Sequence, residues 1–255
     1  SCSAITEIHI PTGISAIEDS TFYGCSALTS VSIPSNVKSI NFGAFRNCYT
    51  LSDVTLPSGL TTIEGYVFYG CRALKSITIP STVTAIGELC FSDCTALTEI
   101  NIPDSVHDIG EGAFSYCDPL NTVENLESVE NIGDYAFAYT ALTSANLTSA
   151  VNIGRNVFIK ETLTPFTVTL GEDVEKIADN PFAMCVVEPF STTVKEKVNG
   201  KDKEVETYPY EISDTVFVID GSLYCMNEKG MELITYTGNS NDNVVVADDT
   251  VRITA

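Results

Sequence analysis

Phenylalanine, proline and cysteine each recur at intervals of 23 residues through the first half of the sequence. One copy reads C-x-x-L-x-x-V-x-I-P-x-x-V-x-x-I-x-x-x-A-F-x-x. The marker residues are Phe22, Phe45, Phe68, Phe91, Phe114 and Phe137, Pro11, Pro34, Pro57, Pro80 and Pro103, and Cys2, Cys25, Cys48, Cys71, Cys94 and Cys117. A unit of this size cannot bury its own apolar face, so consecutive copies must stack. The repeat therefore predicts a solenoid.

Each copy contains a segment that favours a β-strand. The stretch L-x-x-V-x-I alternates and is β-branched, which predicts a short strand, and stacked copies of it form a parallel sheet. Proline ends each strand because it lacks the N–H that the sheet requires. The stretch I-G-x-x-A-F that follows is predicted to be a turn and then a compact helical or 3₁₀-like arc, with phenylalanine pointing inward.

The repeat drifts after Phe137 and is lost after Cys185. Two hairpins are predicted beyond it, one centred on Asn199-Gly200 and one joined across Asn227 to Gly230. The first six residues, SCSAIT, are not a basic and apolar leader, so any secretion signal was removed or lies outside this sequence. The pattern indicates part of a longer array. The predicted domains are a solenoid of 23-residue units over 1–186, two β-hairpins over 187–238 and the start of a further partial repeat over 239–255.

The stretch LTSVSIPSNVKSINFGAFRNC and its neighbours resemble the BspA-like, or Treponema pallidum type, leucine-rich repeats. The resemblance covers Cys2 to about Cys185, and the DGSLYC…MELITYTG segment resembles an element that interrupts such arrays. It implies a curved right-handed leucine-rich repeat solenoid with a parallel concave β-sheet, short turns or 3₁₀ arcs on the convex side, and C-terminal β-hairpin insertions. It also implies a surface-exposed or secreted bacterial protein that functions in adhesion or host-protein binding.

The chain is strongly acidic, with 34 acidic and 13 basic residues and a formal net charge of -21. This charge repels phosphate backbones and anionic lipid heads, which argues against nucleic acid and membrane surfaces as partners. No apolar run approaches the roughly 18 to 20 residues of a membrane helix, so we expect no direct membrane insertion in this sequence.

The cysteine column has two interpretations. Equivalent residues on adjacent turns of a parallel stack lie about 4.8 Å apart with parallel Cβ vectors, whereas a disulfide requires Cβ atoms about 3.8 Å apart that point toward each other. A column of reduced, buried thiols is therefore favoured, and the alternative is the disulfide framework of a secreted protein.

Cys90 and Cys94, with His107 downstream, lack the second cysteine pair that a zinc site requires. Cys90 also occupies a column of small residues: Ala44, Ala113 and Ala136.

Residues that could support catalysis are sparse. The two histidines, His9 and His107, accompany no nucleophile or nucleotide-binding motif. The stretch NSNDNVVVADD carries oxygen ligands but lacks the glycine and glutamate of a calcium loop. We predict no enzyme, no metal and no cofactor. An enzyme is the least favoured of the three functions, and its pocket would lie at the junction near Cys185 to Tyr224.

The solvent-facing strand residues form the candidate binding surface, which we call the concave face. Val31 and Ile33 point inward, so Ser30 and Ser32 point outward, as do their equivalents. The concave face comprises Glu7, His9, Ser30, Ser32, Asp53, Thr55, Ser76, Thr78, Glu99, Asn101, Thr122 and Glu124. These residues are either a binding site or ordinary solvent-facing strand positions. Four tyrosines near the Phe–Cys turn, the convex tyrosines, form a rival site: Tyr23, Tyr49, Tyr69 and Tyr116.

The predicted function is that of a binding module on the cell surface or in the secreted fraction. Its rigid repeat face would bind an extracellular protein or glycan, because a preformed surface loses little entropy on binding. The alternative is a structural stalk or spacer without a ligand of its own. The oligomeric state is left open by the sequence.

Overall fold

The structure is a computed structural model of the 255-residue chain. It describes residues 2–161, 164–170, 176–178, 185–187, 192–198, 201–207, 216–219, 222–227, 230–235 and 250–253. The chain is a parallel β-solenoid of about seven turns with almost no helix. The predicted leucine-rich repeat fold is therefore confirmed, with short turns on the side opposite the predicted sheet.

The described residues form short strands and one 3₁₀ turn at Leu126–Ser128. The strands of the solenoid part are β1 (Ala16–Ile17), β2 (Ser30–Ser32), β3 (Ser39–Ile40), β4 (Asp53–Thr55), β5 (Thr62–Ile63), β6 (Ala85–Ile86), β7 (Glu99–Asn101), β8 (Asp108–Ile109), β9 (Thr122–Glu124), β10 (Asn131–Ile132), β11 (Ser144–Leu147), β12 (Asn152–Ile153), β13 (Thr164–Leu170), β14 (Lys176–Ile177) and β15 (Cys185–Val187). No helix within the described ranges has the length needed to cross a bilayer.

The predicted strands of the L-x-x-V-x-I segment form a first parallel ladder. Strand β2 pairs with β4, β7 pairs with β9, and β13 joins β11 to β15, all in parallel. Single bridges extend this ladder from Glu7 to Ser30 and from Thr78 to Asn101. Between β4 and the turn that contains Thr78, the described residues show no strand pairing. The first ladder is therefore interrupted at that point, and again between β9 and β11.

A second parallel ladder, which the sequence analysis did not predict, is the more continuous of the two. Eight two-residue strands pair in the order β1-β3-β5-β6-β8-β10-β12-β14. Each strand ends on the isoleucine column of the repeat; Ile40, for example, pairs with Ile63 and Ile63 with Ile86. A two-residue strand is too short for alternating hydrophobicity to reveal it.

Consecutive β-turns surround each phenylalanine. The N–H of Arg46 donates to Gly43 at 3.0 Å and that of Cys48 donates to Phe45 at 3.2 Å, so two turns follow one another. The N–H of Phe45 instead donates to Val67 of the next solenoid turn, at 3.0 Å. Because every second N–H bonds outside its own turn, no continuous helix forms. The predicted turn is confirmed, and in the described copies further turns stand where the helical or 3₁₀-like arc was expected.

A column of stacked phenylalanine rings occupies the core. Neighbouring rings from Phe22 to Phe158 have centroids 5.2–5.7 Å apart and interplanar angles of 3–18°. The rings from Phe45 onward are fully buried, together with the Leu, Val and Ile columns. Close packing of this kind gives the solenoid a stiff interior.

Glycine allows close approach of adjacent turns after the isoleucine column. A Cβ on Gly110 would lie 2.7 Å from the backbone N of Glu88 and 2.9 Å from the carbonyl carbon of Gly87. Real Cβ atoms do not approach backbone atoms so closely, and the neighbouring backbone cannot rotate away as a side chain can. The turn containing Gly110 must therefore shift if a methyl group is added.

We expect Gly110→Ala to destabilise the protein by about 1–3 kcal/mol because the extra methyl group overpacks two adjacent turns. Gly13→Ala is the matched control, since a Cβ at Gly13 meets nothing within 4 Å. It should change the free energy of unfolding by less than about 0.5 kcal/mol. Urea unfolding followed by circular dichroism measures both. Equal losses in the two variants would contradict the argument.

The C-terminal strands are mainly antiparallel. They are β16 (Thr192–Val198), β17 (Lys201–Thr207), β18 (Val216–Ile219), β19 (Ser222–Asn227), β20 (Gly230–Thr235) and β21 (Thr250–Ile253). Strands β16 and β17 form a hairpin, β19 pairs with both β18 and β20, and β21 is parallel to β20. The stretch VFVIDGSLYC thus contains two paired strands. The boundaries 1–186, 187–238 and 239–255 stay predictions, and Asn199-Gly200 lies outside the described residues.

Candidate functional site

The concave face is exposed almost throughout. Eleven of its twelve residues are exposed and Ser30 is half-buried, whereas the intervening Val31, Val54 and Ile100 are buried. This is the alternation that a strand with one buried face produces. The ladder places Asp53 beside Ser30, and Thr122 beside Glu99. The structure thus agrees with the predicted orientation, and the binding role stays a prediction.

Hydrogen bonds order one end of the concave face. The side-chain amide of Asn101 donates to Oε2 of Glu124 at 2.7 Å, and that of Asn125 donates to Oδ1 of Asn101 at 3.2 Å. These bonds run along the columns from one turn to the next. They hold the side chains of Asn101 and Glu124 in place before any partner binds.

The concave face extends beyond the residues predicted for it. Strand β11 pairs with β13, which places Ser144 opposite Thr167 and Asn146 opposite Thr169, and all four are exposed. The drift of the repeat after Phe137 hid this continuation. The segment LTSANL has the strand pattern, with Leu142, Ala145 and Leu147 buried, and this pattern could have predicted the extension.

A shallow groove lies at the interruption of the first ladder between β4 and Thr78. Its volume is about 370 Å³, and its lining includes Val54, Thr55, Leu56, Ser58 and Thr78. Thr55 and Thr78 belong to the concave face. The groove therefore adds a recess to the concave face beside a break in strand pairing.

The convex tyrosines are largely exposed. Tyr23, Tyr49 and Tyr116 are 43%, 42% and 52% exposed, while Tyr69 is half-buried. The guanidinium of Arg72 lies 5.3 Å from the ring centre of Tyr49 and forms a salt bridge of 2.7 Å to Oδ2 of Asp93. The tyrosines were predicted from the sequence, whereas the arginines that lie over them were not.

A second groove, which we call the tyrosine groove, opens on the same side. It has a volume of about 420 Å³ and is defined by Arg46, Tyr66, Tyr69, Ser92, Ser115 and Tyr116. The guanidinium carbon of Arg46 lies 4.8 Å from the ring centre of Tyr66 and 5.0 Å from that of Tyr69. Its buried Nε has no hydrogen-bond partner among the described residues.

The cysteine column consists of buried thiols. Of the seven cysteines whose side chains the structure describes, all are free and only Cys2 is exposed. The thiol of Cys48 donates to the carbonyl of Phe22 at 3.2 Å, and that of Cys117 donates to Phe91 at 3.1 Å. The disulfide alternative is thus wrong for this set.

Burial changes the acidity of these thiols. It raises the pKa of both Cys48 and Cys117 to about 12, and raises that of Cys71 and Cys94 well above the ordinary value. A thiolate is strongly disfavoured in such surroundings. These cysteines are therefore chemically quiet at neutral pH.

Cys90 and Cys94 do not converge with His107. Both cysteines are fully buried, whereas His107 is exposed, with Nδ1 3.8 Å from Oε1 of Glu130. Within the described part of the chain, no group of three or more His, Cys, Asp or Glu residues could hold a metal ion. The NSNDNVVVADD loop lies outside the described residues, as do residues 188–191, 199–200, 208–215 and 220–221 of the junction near Cys185 to Tyr224.

Comparison with known proteins places this geometry in a family. The model of the BspA type leucine rich repeat region, in six copies, matches residues 1–88 and 61–188. A T. pallidum leucine-rich repeat protein has a similar solved structure, with 31% identity, a TM-score of 0.50 and coverage of 63% of this chain and 72% of that chain. Among curated proteins, none matches this chain.

Two longer solved structures are also similar. A leucine rich cell surface protein from Faecalibacterium prausnitzii A2-165 is 25% identical, with a TM-score of 0.43 and coverage of 88% of this chain and 44% of that chain. The pneumococcal vaccine antigen PcpA is 21% identical, with a TM-score of 0.38 and coverage of 91% and 47%. The recurring Phe, Pro and Cys columns, the parallel ladders that they build and the match to the family model lead to one conclusion: the chain belongs to the BspA-type leucine-rich repeat family.

Proposed function

We propose that the chain is a non-enzymatic binding module of a cell-surface or secreted bacterial protein, and that its concave face binds an extracellular protein. The observation that carries the proposal is the exposure of eleven of the twelve concave-face residues on a backbone whose other face is buried. A surface held in this way loses little conformational entropy when a partner binds.

Charge narrows the class of partner. The concave face contains four carboxylates, from Glu7, Asp53, Glu99 and Glu124, and no lysine or arginine. The formal charge of the whole chain, -21, has the same sign. Electrostatic attraction therefore favours a basic protein surface and speeds its association at low salt.

The test compares two triple variants that remove the same charge from different places. Glu7→Gln, Asp53→Asn and Glu99→Gln remove three of the four carboxylates of the concave face, whereas Asp19→Asn, Glu111→Gln and Glu127→Gln remove three exposed carboxylates elsewhere. The probe is a panel of immobilised basic and acidic extracellular host proteins, with association followed by surface plasmon resonance. We expect the concave-face variant to bind about tenfold more slowly at low salt than the control variant.

Three results would contradict the proposal. Equal losses in both variants would show that overall charge, not the concave face, attracts the partner. Unchanged binding in the concave-face variant would place the contact elsewhere. Binding to none of the panel would favour the alternative role as a stalk or spacer.

A further inference from the structure

The tyrosine groove exists because one column of the repeat changes from large to small side chains. The residue directly after each core phenylalanine is Tyr23, Arg46, Tyr69, Ser92 and then Ser115 in successive turns. Ser92 and Ser115 are buried, and the hydroxyl of Ser115 donates to that of Ser92 at 2.9 Å. They form a polar floor two turns wide, which is about 10 Å along the stack.

Aromatic rings border this polar floor. One face of Tyr116 stacks on Tyr139, with ring centres 4.7 Å apart, and Tyr116 is still 52% exposed. On the other side, Tyr66 and Tyr69 lie 5.6 Å apart. The protein's own Arg46 lies over both rings, so a second cation finds the site already occupied.

The polar groups of the groove include both donors and acceptors. The buried Nε of Arg46 lacks an acceptor within the described part of the chain. Asp93 accepts both hydrogen bonds from Arg72 through Oδ2, at 3.0 and 2.7 Å. Thr95 and Asp118, both exposed, also line the groove. A ligand can therefore accept a hydrogen bond from the hydroxyl of Thr95 and donate to the carboxylates of Asp93 and Asp118.

The charges of the groove nearly cancel. Arg72 neutralises Asp93, which leaves the guanidinium of Arg46 and the carboxylate of Asp118 as one charge of each sign. An anionic ligand would also approach a chain of net charge -21. An apolar peptide side chain would find a single aliphatic residue, Leu89, in the lining of a shallow groove.

We propose that the tyrosine groove binds a neutral carbohydrate chain. The C–H face of a pyranose ring packs on the exposed ring of Tyr116, whose π face carries partial negative charge. The sugar hydroxyls then reach the donors and acceptors around the floor, as in other small-ligand sites where a few polar groups set orientation. This site uses the turns of the solenoid and is independent of the concave face.

The test uses the full chain and four neutral probes: cellohexaose, maltohexaose, mannohexaose and xylohexaose. Titration calorimetry measures affinity, and saturation-transfer NMR identifies the sugar protons in contact with the protein. We expect at least one probe to bind. Tyr116→Ala should weaken that binding at least about tenfold, whereas Tyr116→Phe, which retains the ring, should stay within about threefold.

Tyr49→Ala is the matched control, because Tyr49 is similarly exposed but does not line the groove. It should leave the affinity unchanged, and circular dichroism verifies that each variant is folded. Failure of all four probes to bind would overturn the proposal. So would equal losses in Tyr116→Ala and Tyr49→Ala, or tighter binding of a hyaluronan hexasaccharide than of any neutral probe. If the parent chain binds a protein but none of the sugars, and Tyr116→Ala loses that protein binding, the groove is a site for the protein and the proposal is overturned.

Discussion

Replacing Phe91 with alanine is expected to lower the free energy of unfolding by about 3–5 kcal/mol. Phe91 is fully buried and stacks between Phe68 and Phe114, with ring centres 5.4 and 5.3 Å apart. Removing the ring leaves a cavity in the middle of the column and breaks two ring contacts. Urea unfolding followed by far-ultraviolet circular dichroism measures the loss.

Phe22→Ala provides the comparison for this prediction. Phe22 is half-buried, and among the described rings it stacks only on Phe45, at 5.2 Å. We expect it to cost about 1–2 kcal/mol. Each solenoid turn contacts only its neighbours, so a weak central turn should also divide the array and broaden the unfolding transition. An equal cost at both positions would show that the stack does not couple the turns.

Stability is expected to fall steeply as the pH rises above about 9. Thiols of the unfolded chain ionise near 9.0, whereas burial raises the pKa of Cys48 and Cys117 to about 12 in the folded chain. The unfolded state therefore binds fewer protons between these values, and the stability present below pH 9 is lost as the pH approaches 12. Each such thiol contributes about 1.4 kcal/mol per pH unit to this slope.

Several thiols act together, because burial also raises the pKa of Cys71, Cys90 and Cys94. Over one to two pH units, the stability that they lose together is comparable to the free energy of unfolding of a typical domain, about 5–15 kcal/mol. The measurement is the melting temperature between pH 7 and 11. The melting temperature of Cys94→Ala should fall less steeply with rising pH than that of the parent chain. An unchanged slope in Cys94→Ala would mean that other groups cause the alkaline loss.

The sequence predicted those parts of the fold that depend on burial. An apolar side chain such as Phe91 or Val54 is buried on folding. Because it recurs every 23 residues, it packs against the equivalent residues of adjacent turns. The stacking, the first ladder and the buried cysteines therefore follow from the pattern. Cys90 belongs to this group, because it is buried like Val67 and Ala113 at the equivalent positions. The outward orientation of the concave face follows from the same alternation.

Only the tertiary structure determined the features that depend on backbone hydrogen bonds between turns. Tyr66, Leu89 and Tyr116 have φ values of 59°, 50° and 58°, which bulky residues rarely adopt. The N–H groups of these residues donate to the next solenoid turn at 2.7–2.9 Å, and these bonds compensate for the local strain. No local pattern specifies such a conformation.

The grooves also arise from the assembled turns. The recess near Thr55 lies beside a missing strand pairing, and the tyrosine groove depends on small residues in two adjacent turns lying beside large residues in the turns around them. The sequence by itself thus determined which side chains are buried and that the copies stack, because burial depends on side-chain chemistry. The second ladder and both grooves were decided by how whole turns fit together, because inter-turn hydrogen bonds and neighbouring side-chain volumes exist only after stacking.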